Sequence, residues 1–123
     1  LRIVKPLGLS EARFLTLVTL YVLDPVPSSP ADLAYHAEIT RSAMTDTLDQ
    51  MEKQGWVRRK RTESDRRAIH IYLTEPGRKV ASVAIRRFLR VTAEISKSLK
   101  PTQHKAFTAL CRRFQEQAEA VSP

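Results

Sequence analysis

Six basic side chains, Arg58, Arg59, Lys60, Arg61, Arg66 and Arg67, fall within ten consecutive positions. A guanidinium presents a planar fork of N–H donors that matches the oxygens of a phosphate, so such a run is suited to gripping a polyanion. A solvated charged hairpin is its plainer alternative. Other chemistry is sparse. His36, His70 and His104 are scattered, with no Cys or carboxylate at metal-ligand spacing, and read as surface or hydrogen-bonded histidines rather than zinc ligands. Cys111 has no partner for an internal disulfide and lies in an apolar stripe, so it reads as a small core residue. No nucleophile stands beside a base, and there is no phosphate-cradling loop and no pair of acids at a useful spacing. The expectation is therefore no enzyme, no cofactor and no metal.

The whole chain is basic. Its 123 residues carry 21 Lys+Arg against 13 Asp+Glu, a formal net charge of +8. That excess points to nucleic acid first and an anionic membrane surface second. The charge is uneven: −4 over residues 10–56, +3 over 57–77 and +6 over 78–100. The longest nearly apolar run, Phe14 to Leu23, is too short to cross a bilayer, and no secretion signal is visible at the start. With a single Cys, the chain is expected in a reducing cytoplasm. Because the sequence starts at Leu1, a further segment is expected upstream of it.

Several elements are needed to position the basic run. Ser10 caps a first helix that is expected to be buried on most sides and to end at Asp24, Pro25 and Pro27. Ser29, with Pro30 at the first helical position and Asp32 three residues after the cap, starts a short second helix carrying Leu33, Ala34 and Ala37 inward. Thr40 caps a third, whose stripe Met44, Leu48 and Met51 has i, i+4, i+7 spacing and whose stop is Gly55. Trp56 reads as a packed anchor for a hairpin. Period-two alternation of Ile69, Ile71 and Leu73 against Ala68, His70, Tyr72 and Thr74 predicts a strand, with Val57–Arg61 as its hairpin partner. After Gly77, the apolar positions Val80, Ala84, Phe88, Val91, Ile95 and Leu99 recur at steps of three or four, giving a helix of about six turns. Beyond Pro101, Phe107, Leu110, Cys111, Phe114, Ala118 and Val121 mark a last amphipathic helix.

Helix, short helix, turn, helix and basic hairpin come in the order of a winged helix-turn-helix, in which the second helix of the pair enters the DNA major groove. The predicted fold class is mainly α with a small β-hairpin wing. A single domain is expected: residues 10–77 form the DNA-binding lobe, and residues 1–9 and 78–123 form dimerisation helices. An arginine-rich hairpin tip suits the minor groove, whose narrow A·T stretches attract guanidinium groups.

The stretch from Ile39 to Gly77 resembles the core of the MarR family of bacterial transcription regulators. The resemblance rests on Leu48, Met51, Glu52 and Gly55 at the end of the third helix, on Asp65-x-Arg67 in the wing, and on Leu73-Thr74-x-x-Gly77 after it. It implies a homodimer reading a palindromic double-stranded DNA operator, a repressor role, and release by a small aromatic or phenolic effector held between the DNA lobe and the dimer helices. It also implies that Arg67 enters the minor groove, with Asp65 pairing to orient it. A carboxylate two residues away can hold a planar guanidinium by charge-assisted hydrogen bonds. Position 46, often Arg in the family and a phosphate contact there, is Asp in this chain.

The candidate contacts fall into three groups. Thr40, Arg41, Ser42 and Thr45 are assigned to the major groove, Asp65, Arg66 and Arg67 to the wing and minor groove, and Ser29, Arg58, Arg59, Lys60 and Arg61 to phosphates. Because strands alternate sides, only two or three of the hairpin cations can meet one duplex. Asp46, Asp49 and Glu52 are expected to face solvent or pair locally. Arg78 and Lys79 are expected at DNA flanks, and Arg86, Arg87 and Arg90 on the wet side of a dimer helix. A winged-helix module that binds protein or RNA without reading an operator is the alternative, favoured by the −4 over residues 10–56 and by Asp46.

Overall fold

The computed structural model describes residues 4–64 and 67–121. A short 3-10 segment (Lys5–Leu7) precedes α1 (Glu11–Leu23), α2 (Pro30–Ala37), α3 (Arg41–Lys53), β1 (Val57–Arg61), β2 (Ile69–Leu73), α4 (Glu75–Ser96) and α5 (Pro101–Val121). The chain is mainly helical with one antiparallel hairpin, the class expected from its pattern. It divides into two units, Leu1–Phe88 and Leu89–Pro123.

Each early helix begins at a hydroxyl cap. The side chains of Ser10, Ser29 and Thr40 accept hydrogen bonds from the backbone N–H groups of Arg13, Asp32 and Ala43 at 3.2, 3.1 and 3.0 Å. Each satisfies a donor that has no partner inside the helix. α3 stops at Gly55, whose φ of +78° is left-handed. Gly55 N–H donates to the Glu52 carbonyl at 2.9 Å and Trp56 N–H to the Met51 carbonyl at 3.0 Å, the paired closure of a Schellman motif. At the turn between α2 and α3, Glu38 takes a left-handed φ of +55° without being glycine.

The core of the first unit forms where these helices meet the hairpin. Met44, Leu48 and Met51 are fully buried against Leu17, Leu33, Val57 and Ile71. Thr16, also buried, sits in the apolar run of α1 because its hydroxyl donates to the Ala12 carbonyl at 2.7 Å. α1 is less enclosed than its composition suggested: Phe14, Leu17 and Leu20 are buried, but Tyr21, Val22 and Leu23 are exposed. Its apolar run outlasts the surface available to cover it.

β1 and β2 pair from Val57↔Leu73 to Arg61↔Ile69. Ser28 extends the ladder on the far side of β2, exchanging backbone hydrogen bonds with Ile71 at 2.8 and 3.3 Å. The segment before α2 is thereby tied to the wing. Thr74 ties α4 to the end of α3, since its N–H donates to the Trp56 carbonyl at 3.0 Å and its hydroxyl donates to the Gly55 carbonyl. Gly77 N–H in turn donates to the Thr74 hydroxyl at 3.1 Å. A Cβ at Gly77 would lie 2.0 Å from the Trp56 carbonyl oxygen, so only glycine permits this approach. Trp56 is thus an anchor through its backbone as well as its half-buried ring.

In the second unit α5 is exposed along its whole length. Phe107, Leu110, Phe114 and Val121 stand 60 to 80% exposed. Cys111, expected in a core, is exposed too, because it shares the apolar stripe of this exposed helix. Among the described residues no helix is long and apolar enough to cross a membrane.

Candidate nucleic-acid interface

α3 presents two faces with different tasks. Its buried stripe Met44–Leu48–Met51 fixes the helix to the core, which turns Arg41, Ser42, Thr45 and Asp46 outward as exposed residues. The Thr45 hydroxyl donates to the Arg41 carbonyl at 3.0 Å, leaving its oxygen lone pairs free to accept. Thr40 spends one lone pair on the cap and keeps its proton to donate.

Beside this face lies an open cleft of about 410 Å³ lined by Ser29, Arg41, Thr45, Arg67 and His70, together with Pro30, Ala31, Ala68 and Ile69. Three elements build it: the start of α2, the first two turns of α3 and the entry to β2. Ser29 arrives through its cap and through the neighbouring Ser28–Ile71 bridge, and Arg67 arrives from the wing. Candidates from all three predicted groups, two of them from the major-groove group, therefore meet at one cleft. Thr40 and Ser42 are exposed near it but do not line it. Asp65 and Arg66 lie outside the described residues, and the expected pairing of Asp65 with Arg67 lies there with them.

The hairpin cations separate as alternation demands. Arg58 and Lys60 project from the outer face, where Lys60 Nζ sits 5.7 Å from the centre of the Tyr72 ring. Arg59 projects from the opposite face, and its Nη1 lies 2.6 Å from Asp49 Oδ1 and 3.7 Å from Glu52 Oε1. Arg61 is exposed at the end of β1. The acids of α3 thus pair locally, as expected of Asp49 and Glu52, while Asp46 is exposed. Arg78, expected at a DNA flank, binds Asp24: Nε and Nη2 donate to the two carboxylate oxygens, each at 3.0 Å. That hydrogen bonding holds the Asp24 carboxyl below its ordinary range.

Sequence reasoning missed His70, which lines the cleft. The signal was present in the β2 alternation, which turns positions 68 and 70 away from the side of Ile71, but nothing in the sequence showed that Ser29 would stand next to them. Among the described residues there is no cluster of three His, Cys, Asp or Glu that could hold a metal.

Known proteins share this fold. The MarR family model matches residues 9–69. The transcriptional repressor MprA of Escherichia coli is 28% identical over 121 residues, which are 98% of this chain and 62% of that protein, so the chain spans about three fifths of this relative's length. The HTH-type transcriptional repressor YetL of Bacillus subtilis is 35% identical over 71 residues, 58% of this chain and 42% of that protein. A MarR family protein of Mycobacterium tuberculosis, solved in complex with salicylic acid, superposes with a TM-score of 0.72 at 29% identity, covering 92% of this chain and 82% of that one. Apo MarR of Escherichia coli shares the fold with a TM-score of 0.79 at 21% identity, covering 92% and 83%.

Proposed function

Because the chain belongs to the MarR family, we propose that it is a homodimeric transcriptional repressor that reads a palindromic double-stranded DNA operator and is released by a small aromatic effector. The observation that carries this reading is the cleft in which Ser29, Arg41, Thr45 and Arg67 converge beside the exposed face of α3. Arg41 is suited to the N7 and O6 of guanine, Thr45 to either base edge, and Ser29 to a phosphate at the start of α2. Arg67 is assigned to a minor groove at the wing; Asp65 and Arg66, its expected companions there, lie outside the described residues. Arg58, Lys60 and Arg61 are assigned to phosphates.

The exposed apolar stripe of α5 supports dimerisation, since Phe107, Leu110 and Phe114 would otherwise stay in water. Two subunits would then offer two copies of α3 to half-sites about one helical turn apart. Salicylic acid in a relative supports an aromatic or phenolic effector.

Titration of a palindrome from the gene's own promoter against a random duplex tests the proposal. The palindrome is expected to bind more tightly and to weaken steeply between about 50 and 200 mM salt, as counterion release from several phosphates requires. Equal binding of the two duplexes at every salt concentration would overturn it and favour a protein or RNA interaction module.

A further inference from the structure

We infer that Arg59 serves DNA recognition through the carboxylates of α3 and not through the phosphate backbone: it masks Asp49 and Glu52 on the flank of the reading helix. The inference rests on the operator-reading proposal above and assigns Arg59 a positioning role within it.

The guanidinium is committed inside the protein. Nη1 donates to Asp49 Oδ1 at 2.6 Å, Nη2 donates to the Thr45 carbonyl at 3.3 Å, and Glu52 Oε1 lies 3.7 Å away. The backbone N–H of Arg59 donates to Glu52 Oε2 at 3.2 Å, so the second carboxylate is held from two directions. Arg59 lies on the same side of β1 as buried Val57, which directs its stem against α3, and its side chain is only 26% exposed. A phosphate contact would have to share the guanidinium with this set of bonds. Arg58 and Lys60, on the other face, have no such commitment to α3.

The reason for masking lies in the spacing. Arg41, Thr45, Asp49 and Glu52 stand at i, i+4, i+8 and i+11, one stripe along the helix. Arg41 and Thr45 line the cleft; the two acids come next. Four residues at 1.5 Å rise place Asp49 about 6 Å along the axis from Thr45. That is less than the screening length of about 8 Å at physiological salt, so an unpaired carboxylate there would repel a duplex docked on the cleft. Arg59 removes that repulsion without itself touching DNA.

A double-mutant cycle on the full chain tests this, with the promoter palindrome as probe and thermal melting to verify each variant. Arg59→Ala is expected to weaken specific binding about 10-fold. In the Asp49→Asn, Glu52→Gln background the same change is expected to cost less than about 2-fold, because nothing is left to mask. An equal loss in both backgrounds, the additivity of an independent phosphate contact, would overturn the inference. Side-chain nitrogen spectra of Arg59 in the native sequence give a second readout that needs no variant to fold. The guanidinium signals are expected to keep their carboxylate-bonded positions when duplex is added, and their transfer to a phosphate-bonded state would overturn the assignment. If the unaltered protein fails to prefer the palindrome over random duplex, the operator reading itself falls, a result separate from either outcome of the cycle.

Discussion

Arg78 grips Asp24 with two hydrogen bonds of 3.0 Å, one from Nε and one from Nη2, across 54 positions of sequence. The pair joins the residue that ends α1 to the first turns of α4, and Glu75 adds a looser contact at 3.6 Å. Arg78 was a candidate for DNA flanks from its charge alone; its partner makes it a tie within the first unit as well.

A pH dependence arises from the Asp24 carboxyl, which this hydrogen bonding lowers. A group whose pKa is depressed on folding adds stability above its unfolded pKa of about 3.9 and loses it as pH falls through the folded value. Asp24→Asn is therefore expected to lower the melting temperature at pH 7 and to converge with the unaltered protein once the pH falls below the lowered Asp24 value. Melting curves from pH 2 to 7 check it. Because the pair is on the surface, salt should narrow the gap.

Arg41→Ala is expected to cost about 1–3 kcal/mol of operator binding and to relax preference at one base pair in each half-site. Competition with duplexes varied at single positions measures both. A loss that is uniform across all sequences would make Arg41 a phosphate contact.

For Arg67→Ala a loss of about 1–3 kcal/mol is expected, concentrated on operators with A·T pairs beneath the wing. Unchanged affinity would return Arg67 to the ordinary surface.

Gly77→Ala places a methyl group 2.0 Å from the Trp56 carbonyl oxygen, a backbone atom that cannot swing aside. The expected destabilisation is about 3 kcal/mol. Urea unfolding measures it.

On α5, Phe114 is 79% exposed, so Phe114→Glu should leave the fold of each subunit intact while charging the apolar stripe. Sedimentation at micromolar concentration is expected to show monomers in place of dimers, with the circular dichroism spectrum of the helices kept.

Much of the fold was readable because it depends on local rules. Ser10, Ser29 and Thr40 announce helix starts through a hydroxyl that any helix terminus requires, and Gly55 announces a stop because left-handed φ is costly for other residues. The spacing of Met44, Leu48 and Met51 dictates which side of α3 is buried, and therefore that Arg41 and Thr45 face out. Cys111 shows where this logic ends. Periodicity identifies an apolar stripe but says nothing of what covers it.

What the sequence by itself determined is the set of elements, their inner and outer faces, and the family to which they belong, all consequences of spacing along one chain. The tertiary structure alone decided the partners. Which cations are spent inside the protein, Arg59 on Asp49 and Arg78 on Asp24, depends on pairs 10 and 54 residues apart. A guanidinium bonds whichever oxygen lies within about 3 Å, and that distance is set by how helices and hairpin pack. The same packing brought Ser29 and His70 to the cleft of Arg41 and Arg67, turning a list of basic residues into a site with a direction.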